Sequence, residues 1–145
     1  MLFVLDAYEG RRADLQRLIS FDYLMVHSGD AEGPDSLHPA VPFRGGELLV
    51  KRDVLSTGLN RMFSRELIEK RFDNSGITYG STALTAPFLA LLKSAYAKQL
   101  RDRAVWLIDT FGDLDDRELS LFMAAHVGRW GAEFNRMGAL ENLVL

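Results

Sequence analysis

Apolar residues recur three or four positions apart over most of the chain and two apart in one short stretch. Leu2, Leu5 and Tyr8 fall at helical spacing, so the first eight residues predict a short helix, with a strand as the alternative. Gly10 and the pair Arg11-Arg12 end it. Asp14 has the side chain of an N-cap. Leu15, Leu18, Ile19, Tyr23 and Val26 then lay an apolar stripe along a helix running to about His27. Residues 28–46 contain Gly29, Gly33, Pro34, Pro39, Pro42, Gly45 and Gly46, poor material for any helix or strand interior, and predict a long loop. Loops of that length in a compact domain are uncommon and often functional. Helical spacing returns from about Glu47 to Arg65, with Leu48, Val54, Leu55, Leu59, Met62 and Phe63 expected on the buried side. Gly58 weakens this helix, and Val50–Asp53 is the place for a break.

The period then drops to two. Ile68, Lys70 and Phe72 alternate with Leu67, Glu69 and Arg71, Asp73-Asn74-Ser75-Gly76 makes a turn, and Ile77 and Tyr79 alternate with Thr78 and Gly80. That is a two-stranded hairpin. Thr82 or Thr85 caps the next helix, with Pro87 in its first turn, and the helix runs to about Phe111 with an interruption near Leu92–Tyr96. Gly112 stops it. Asp115 or Asp116 opens a last amphipathic helix through Leu119, Phe122, Met123 and His126, and Trp130 to Leu145 is apolar but irregular. Three helices, a hairpin and further helices are the order of a winged helix-turn-helix. The fold class read here is therefore mainly α with a small β-hairpin: one winged-helix domain over residues 1–145, carrying a long 28–46 loop and a C-terminal helical extension. In it the basic helix before the hairpin takes the place of a recognition helix, and Asp73 to Gly76 form the tip of the wing.

Length adds that 145 residues suffice for one domain with a real core and are too few for two. With no cysteine, the fold needs neither disulfides nor a thiolate metal site, which fits a cytoplasmic protein. No apolar run approaches the roughly 18 residues of a membrane span, and the N-terminus lacks the basic lead and cleavage site of a signal peptide. The formal net charge of −3 argues mildly against a solitary DNA binder. The charge is unevenly spread: residues 44–71 carry seven Lys/Arg against four acids, and residues 113–145 carry six acids against three Arg.

The sequence shows no catalytic constellation. His27, His38 and His126 show no i,i+2 or i,i+4 pairing, so a metal site would need scattered ligands. Gly45-Gly46 is followed by Glu47-Leu48 rather than Lys-Ser, and neither a dinucleotide fingerprint nor a Gly-x-Ser-x-Gly elbow is present. Pro34-Asp35 invites comparison with metal nucleases, but Glu47, Glu66 and Glu69 all miss the required carboxylate–Lys spacing. Asp113, Asp115, Asp116 and Glu118 cluster at a helix start, where carboxylates suit the positive end of the dipole, and the spacing of a calcium loop is not met. No cofactor, small-molecule substrate or enzymatic activity is expected.

Two surfaces remain. The basic residues Lys51, Arg52, Arg61, Arg65, Lys70 and Arg71 are candidate DNA contacts, or else the solvated side of an amphipathic helix with Glu66–Lys70 as an i,i+4 pair, or a docking face for an acidic protein. Aromatic residues exceed the needs of a three-helix core: Phe3, Phe21, Phe43, Trp106, Phe111, Trp130 and Phe134, with Met137 beside them. Leu37, His38, Pro39, Pro42, Phe43, Arg44 and Trp130 are candidate partner contacts, with Phe43 and Arg44 as anchors. The competing reading is that the loop and tail fold back on the domain.

The order of motifs supplies one more clue. Phe21-Asp22-Tyr23-Leu24-Met25-Val26-His27-Ser28-Gly29-Asp30 precedes Ser36-Leu37-His38-Pro39 and Pro42-Phe43-Arg44-Gly45-Gly46-Glu47-Leu48-Leu49-Val50. Met62-Phe63-Ser64-Arg65-Glu66-Leu67-Ile68-Glu69-Lys70-Arg71-Phe72 and Ala86-Pro87-Phe88-Leu89 follow. Over nearly its whole length the chain resembles the middle component of bacterial ABC-three-component systems, the group that includes the C subunit of Lamassu anti-phage defence. That family usually has more helix before Leu2-Phe3.

The resemblance implies two protein partners: a coiled-coil ATPase of the SMC/Rad50 type, and an effector, often a nuclease, held inactive until foreign DNA is sensed. It implies a non-catalytic bridge near the ATPase heads, with DNA contact made through the complex. The reading from a different class is a stand-alone winged-helix transcription regulator, a symmetric dimer with its 51–65 helices about 34 Å apart.

Overall fold

The structure, a computed structural model, describes residues 1–39 and 44–126, with the side chains of 44–49 and 126 left aside. Val41, Pro42, Phe43, Trp130, Phe134 and Met137, and the side chain of Arg44, therefore lie outside the described residues. Six helices and one hairpin follow in order: α1 (Leu2–Ala7), α2 (Leu15–Val26), α3 (Arg44–Ser64), β1 (Ile68–Asp73), β2 (Gly76–Ser81), α4 (Thr85–Ala90), α5 (Ala95–Phe111) and α6 (Asp116–His126). A 3-10 turn, Ser28–Ala31, follows α2. The chain is mainly helical with a two-stranded antiparallel sheet, as the sequence pattern predicts.

Helix α2 is the axis of the core. The Asp14 carboxylate accepts from the Arg17 amide at 2.8 Å, satisfying one donor that the helix itself cannot. Leu18, Phe21, Tyr23, Leu24, Met25 and Val26 are buried round its whole circumference, because α3 packs on one side and α5 on another. Helix α1 also packs against α5, so Phe3, Val4 and Leu5 join the same apolar mass as Ala104, Leu107, Ile108 and Phe111.

The hairpin is held to the helices at two levels. Ile68 and Tyr79 point into the core, and Ala13 forms a bridge with Tyr79 through two backbone hydrogen bonds of 2.9 and 2.8 Å. This one-residue third strand, lying between α1 and α2, is compatible with the order of a winged helix. Cross-strand register runs from Ile68 opposite Ser81 to Asp73 opposite Gly76, leaving Asn74-Ser75 as the tip. Gly76 has φ 119°, a conformation that only glycine adopts cheaply, and the Asp73 carboxylate accepts from the Ser75 amide at 2.8 Å. The Ser75 hydroxyl, and after it that amide bond, hold the Asp73 carboxyl below its ordinary range.

Three local expectations change. Helix α3 starts at Arg44 and runs unbroken through Val50–Asp53, so the long loop is shorter at its C-terminal end than the glycine pairs suggest. Gly58 faces open space on this helix, so its missing side chain costs only propensity. Neither Thr82 nor Thr85 is the N-cap of α4, a position held by Leu84. Their hydroxyls instead donate to the carbonyls of Glu66 and Leu67 at 2.7 Å, tying the base of the hairpin to the start of α4. The interruption foreseen near Leu92 is real, with Ser94 capping α5 by accepting from the Ala97 amide at 3.0 Å.

The turn between α5 and α6 is clamped by arginines. The Arg17 side chain, 9% exposed, donates to the Leu114 carbonyl, to the Asp116 carboxylate at 3.0 Å and to the Tyr8 hydroxyl at 3.1 Å, and lies over the Phe21 ring. Arg11 adds a bond of 3.3 Å to the Gly112 carbonyl and an ion pair of 2.7 Å with Asp113. Gly112 is needed for space: a Cβ there would lie 2.5 Å from the Ile108 carbonyl oxygen. Replacing Arg17 by Met should leave the buried Gly112 and partly buried Leu114 carbonyls short of a donor and lower stability by about 2 kcal/mol, read as a drop in the urea midpoint. Arg117→Met, on exposed α6 surface, should change it by no more than about 0.5 kcal/mol.

Candidate functional site

Helix α3 faces two ways. Leu55 and Leu59 are buried against α2, and Met62 is half-buried. Val54 and Phe63, expected on the inner face, are exposed. Four residues before Val54, Val50 is 64% exposed, so the outer face of α3 carries two uncovered valines one turn apart. Such a face resembles a protein contact more than a surface for phosphates.

The candidate DNA contacts divide into two groups. Lys51 lies inward: its ammonium pairs with Asp22 at 2.9 Å and sits 5.5 Å from the centre of the Tyr23 ring, with only about 15% of its side chain exposed. Arg52 reaches the Gln16 side chain at 3.5 Å. Lys70 donates to the Asn60 side chain at 2.7 Å and lies over the Phe63 ring at 4.6 Å, so the i,i+4 pairing with Glu66 is not what positions it. Arg61, Arg65 and Arg71 are exposed. They fall at the end of α3 and on β1, and Glu69 offsets part of that charge through Arg12 and, at 3.9 Å, through Arg71.

The hairpin tip is the most conspicuous feature that periodicity did not flag. Phe72 and Ile77 are cross-strand partners, and Phe72 is 76% exposed. This apolar pair lies at the far end of the hairpin, flanked by Arg71, where the core does not cover it. Alternation identified the strand but not how far it projects beyond the core. A third apolar surface runs along α4 and its flanks, where Leu84, Phe88, Leu91 and Leu92 are exposed; the helical spacing and the interruption near Leu92 did not show that these side chains stay uncovered.

The loop after α2 is built onto the body of the protein. The amides of Leu37 and His38 both donate to the Val26 carbonyl, at 2.9 and 3.0 Å. The Ser28 hydroxyl donates to the Pro34 carbonyl at 2.8 Å, and Arg103 of α5 donates to the Asp35 carbonyl at 2.8 Å. The His38 Nε2 is 2.7 Å from the Tyr96 hydroxyl. Gly33 fits because it lies against Trp106, whose ring carbon would be 2.2 Å from an added Cβ. The fold-back reading thus holds for residues 28–38, and it accounts for Trp106. Leu37 is half-buried, while His38 and Pro39 are exposed at the edge of this strap. Of the partner-contact candidates these three are the ones whose side chains are described.

Among the described residues no three metal-ligating side chains gather. His27 is buried against Tyr23, with ring centres 4.4 Å apart, and lies 6.1 Å from His38. The acidic cluster is a cap: the Asp115 carboxylate accepts from the Glu118 amide at 2.7 Å, and Glu118 reaches back to the Asp115 amide at 3.3 Å. No helix of the described residues is long and apolar enough to cross a membrane.

The division of the basic residues is testable. Lys51→Glu places a carboxylate beside Asp22 in a half-closed site and should lower stability by about 2 kcal/mol or more. Arg65→Glu, on open surface, should leave the urea midpoint unchanged within about 0.5 kcal/mol.

No curated protein and no solved structure matches the chain. The model of the family described as ABC-three component (ABC-3C) system Middle Component 2 matches residues 1–133. The chain belongs to this middle-component family and is an accessory subunit of an ABC-three-component system.

Proposed function

We propose that this subunit is a non-catalytic bridge in an anti-phage defence complex of the Lamassu type, linking an SMC/Rad50-like ATPase to an effector. The observation that supports the reading is the distribution of exposed apolar side chains over separate parts of one core. Val50 and Val54 mark the outer face of α3, Phe72 and Ile77 the hairpin tip, and Leu84, Phe88 and Leu91 the region of α4. Five strand steps from Gly76 to Ser81 place the tip about 17 Å from the base of the hairpin, at the usual rise per residue. One partner meeting only one of these surfaces would leave the others wet, whereas a bridge covers more than one.

DNA contact within the complex is assigned to Arg52, Arg61, Arg65, Lys70 and Arg71. Lys51 contributes less, because its charge is already matched by Asp22. The net charge of −3 supports contact through the complex rather than by the subunit alone. Phe43 and Arg44 remain the proposed anchors of the segment leading into α3.

Co-expression with the two neighbouring genes, with a tag on this chain, tests the bridge. A stable complex containing a coiled-coil ATPase is expected, and a lone dimer that binds a promoter fragment would favour the regulator. Phe43→Ala with Arg44→Ala should abolish assembly while the subunit stays folded; unchanged co-purification removes the anchor role. Arg61→Glu, Arg65→Glu and Arg71→Glu together should reduce the salt slope of DNA binding by the complex by about 2–3. An unchanged slope would assign these arginines to protein docking or plain surface.

A further inference from the structure

A groove of about 410 Å³ opens between α4 and the first half of α5. Ala86, Leu89, Ala90 and Leu92 give it an apolar lining. Lys93, Lys98 and Arg101 also line it, against a single acid, Asp6. Arg101 is fixed in place, donating to the Leu89 carbonyl at 3.1 Å and lying over the Phe3 ring at 5.5 Å. Neither Lys93 nor Lys98 has an ion-pair partner among the described residues, and both are exposed. They flank the N-terminus of a 17-residue helix, so these two cations add to the positive end of its dipole instead of opposing it. Beside the groove, Leu91 is 74% exposed and Phe88 lies open too, so the apolar surface continues past its edge.

Together these features select a ligand of definite character. A nucleic-acid backbone would satisfy the cations but gain nothing from the apolar lining. A neutral apolar helix would fill the lining and leave the cations unopposed. We propose that the groove takes an acidic, leucine-bearing amphipathic segment of a partner protein. Its apolar side chains would seat against Ala86, Ala90 and Leu92, and its carboxylates against Lys93, Lys98 and Arg101. The assignment rests on the bridging reading and names the chemistry of one of its contacts. It is separate from the basic residues of α3 and β1, which are kept for DNA.

The test titrates the full chain with a fluorescent synthetic amphipathic peptide carrying Leu along one face and Glu elsewhere, and with its Lys-for-Glu counterpart. The acidic peptide should bind at least ~10-fold more tightly and weaken with added salt. Lys93→Glu with Lys98→Glu should remove that preference, and Leu92→Asn should weaken binding by ~10-fold, with thermal midpoints of the lysine variant unchanged. Equal binding of the two peptides, or an acidic preference that survives the lysine reversal, overturns the proposal. So does binding that appears only in a chain ending at His126, which would give the groove to residues 127–145, or competition by self-association of the chain. Co-expression with the neighbouring genes separates this inference from the bridge. If the wild-type subunit and the lysine variant assemble equally, the groove fails and the bridge stands. If neither assembles yet the wild type prefers the acidic peptide, the bridge fails and the groove's chemistry stands.

Discussion

A guanidinium taken out of water must find acceptors for its donors, and Arg17 meets that requirement in a way that organises one end of the molecule. It sits on α2, the buried axis, and its partners come from Tyr8 just after α1, from the α5–α6 turn and from the start of α6. The carbonyls of Gly112 and Leu114, just past the end of α5, accept from it, so the buried cation sits at the negative end of that helix dipole. Arg11 repeats the arrangement nearer the surface. Gly112 allows the close approach. Because the clamp fixes where α5 ends, it also contributes to the direction of that helix, and with it the position of the strap after α2 and of the groove at the far end.

The strap illustrates a second physical rule. A proline- and glycine-rich segment carries backbone groups that must be paired when it lies against a core. Here the carbonyls of Val26, Pro34 and Asp35 are met by two amides, a serine hydroxyl and an arginine. Gly33 lets the chain pass beside the Trp106 ring. The segment is therefore part of the scaffold as far as His38. What the scaffold leaves uncovered among the described residues is the outer face of α3, the hairpin tip and the surroundings of α4. These places are unlike in chemistry, with arginines near the first two and lysines at the third.

Much of the architecture was written locally. Asp14 as a cap, the helical stripe from Leu15 to Val26, the switch to a two-residue period at Ile68 and the Asp-Asn-Ser-Gly turn are short-range signals, and each produced the element it predicts. The motifs from Phe21 to Leu89 carried the family resemblance, and the family match over residues 1–133 agrees with it. Local signals misjudged the start of α3, because Gly45-Gly46 weakens a helix by propensity alone and packing against α2 can override that.

What the sequence by itself determined, then, was the order of elements, the uneven charge and the lack of a catalytic motif. Only the tertiary structure decided which side chains are left over. Val54 and Phe63 share the helical spacing of buried residues yet face outward, since α2 covers only one side of α3. Lys51 and Arg65 look alike in the sequence, but one is matched by Asp22 across 29 positions of chain and the other is open. Phe72 alternates properly with its neighbours and still projects into solvent, because the hairpin outruns the core that buries Ile68 and Tyr79. Periodicity states which residues share a face; whether anything covers that face depends on contacts between distant parts of the chain.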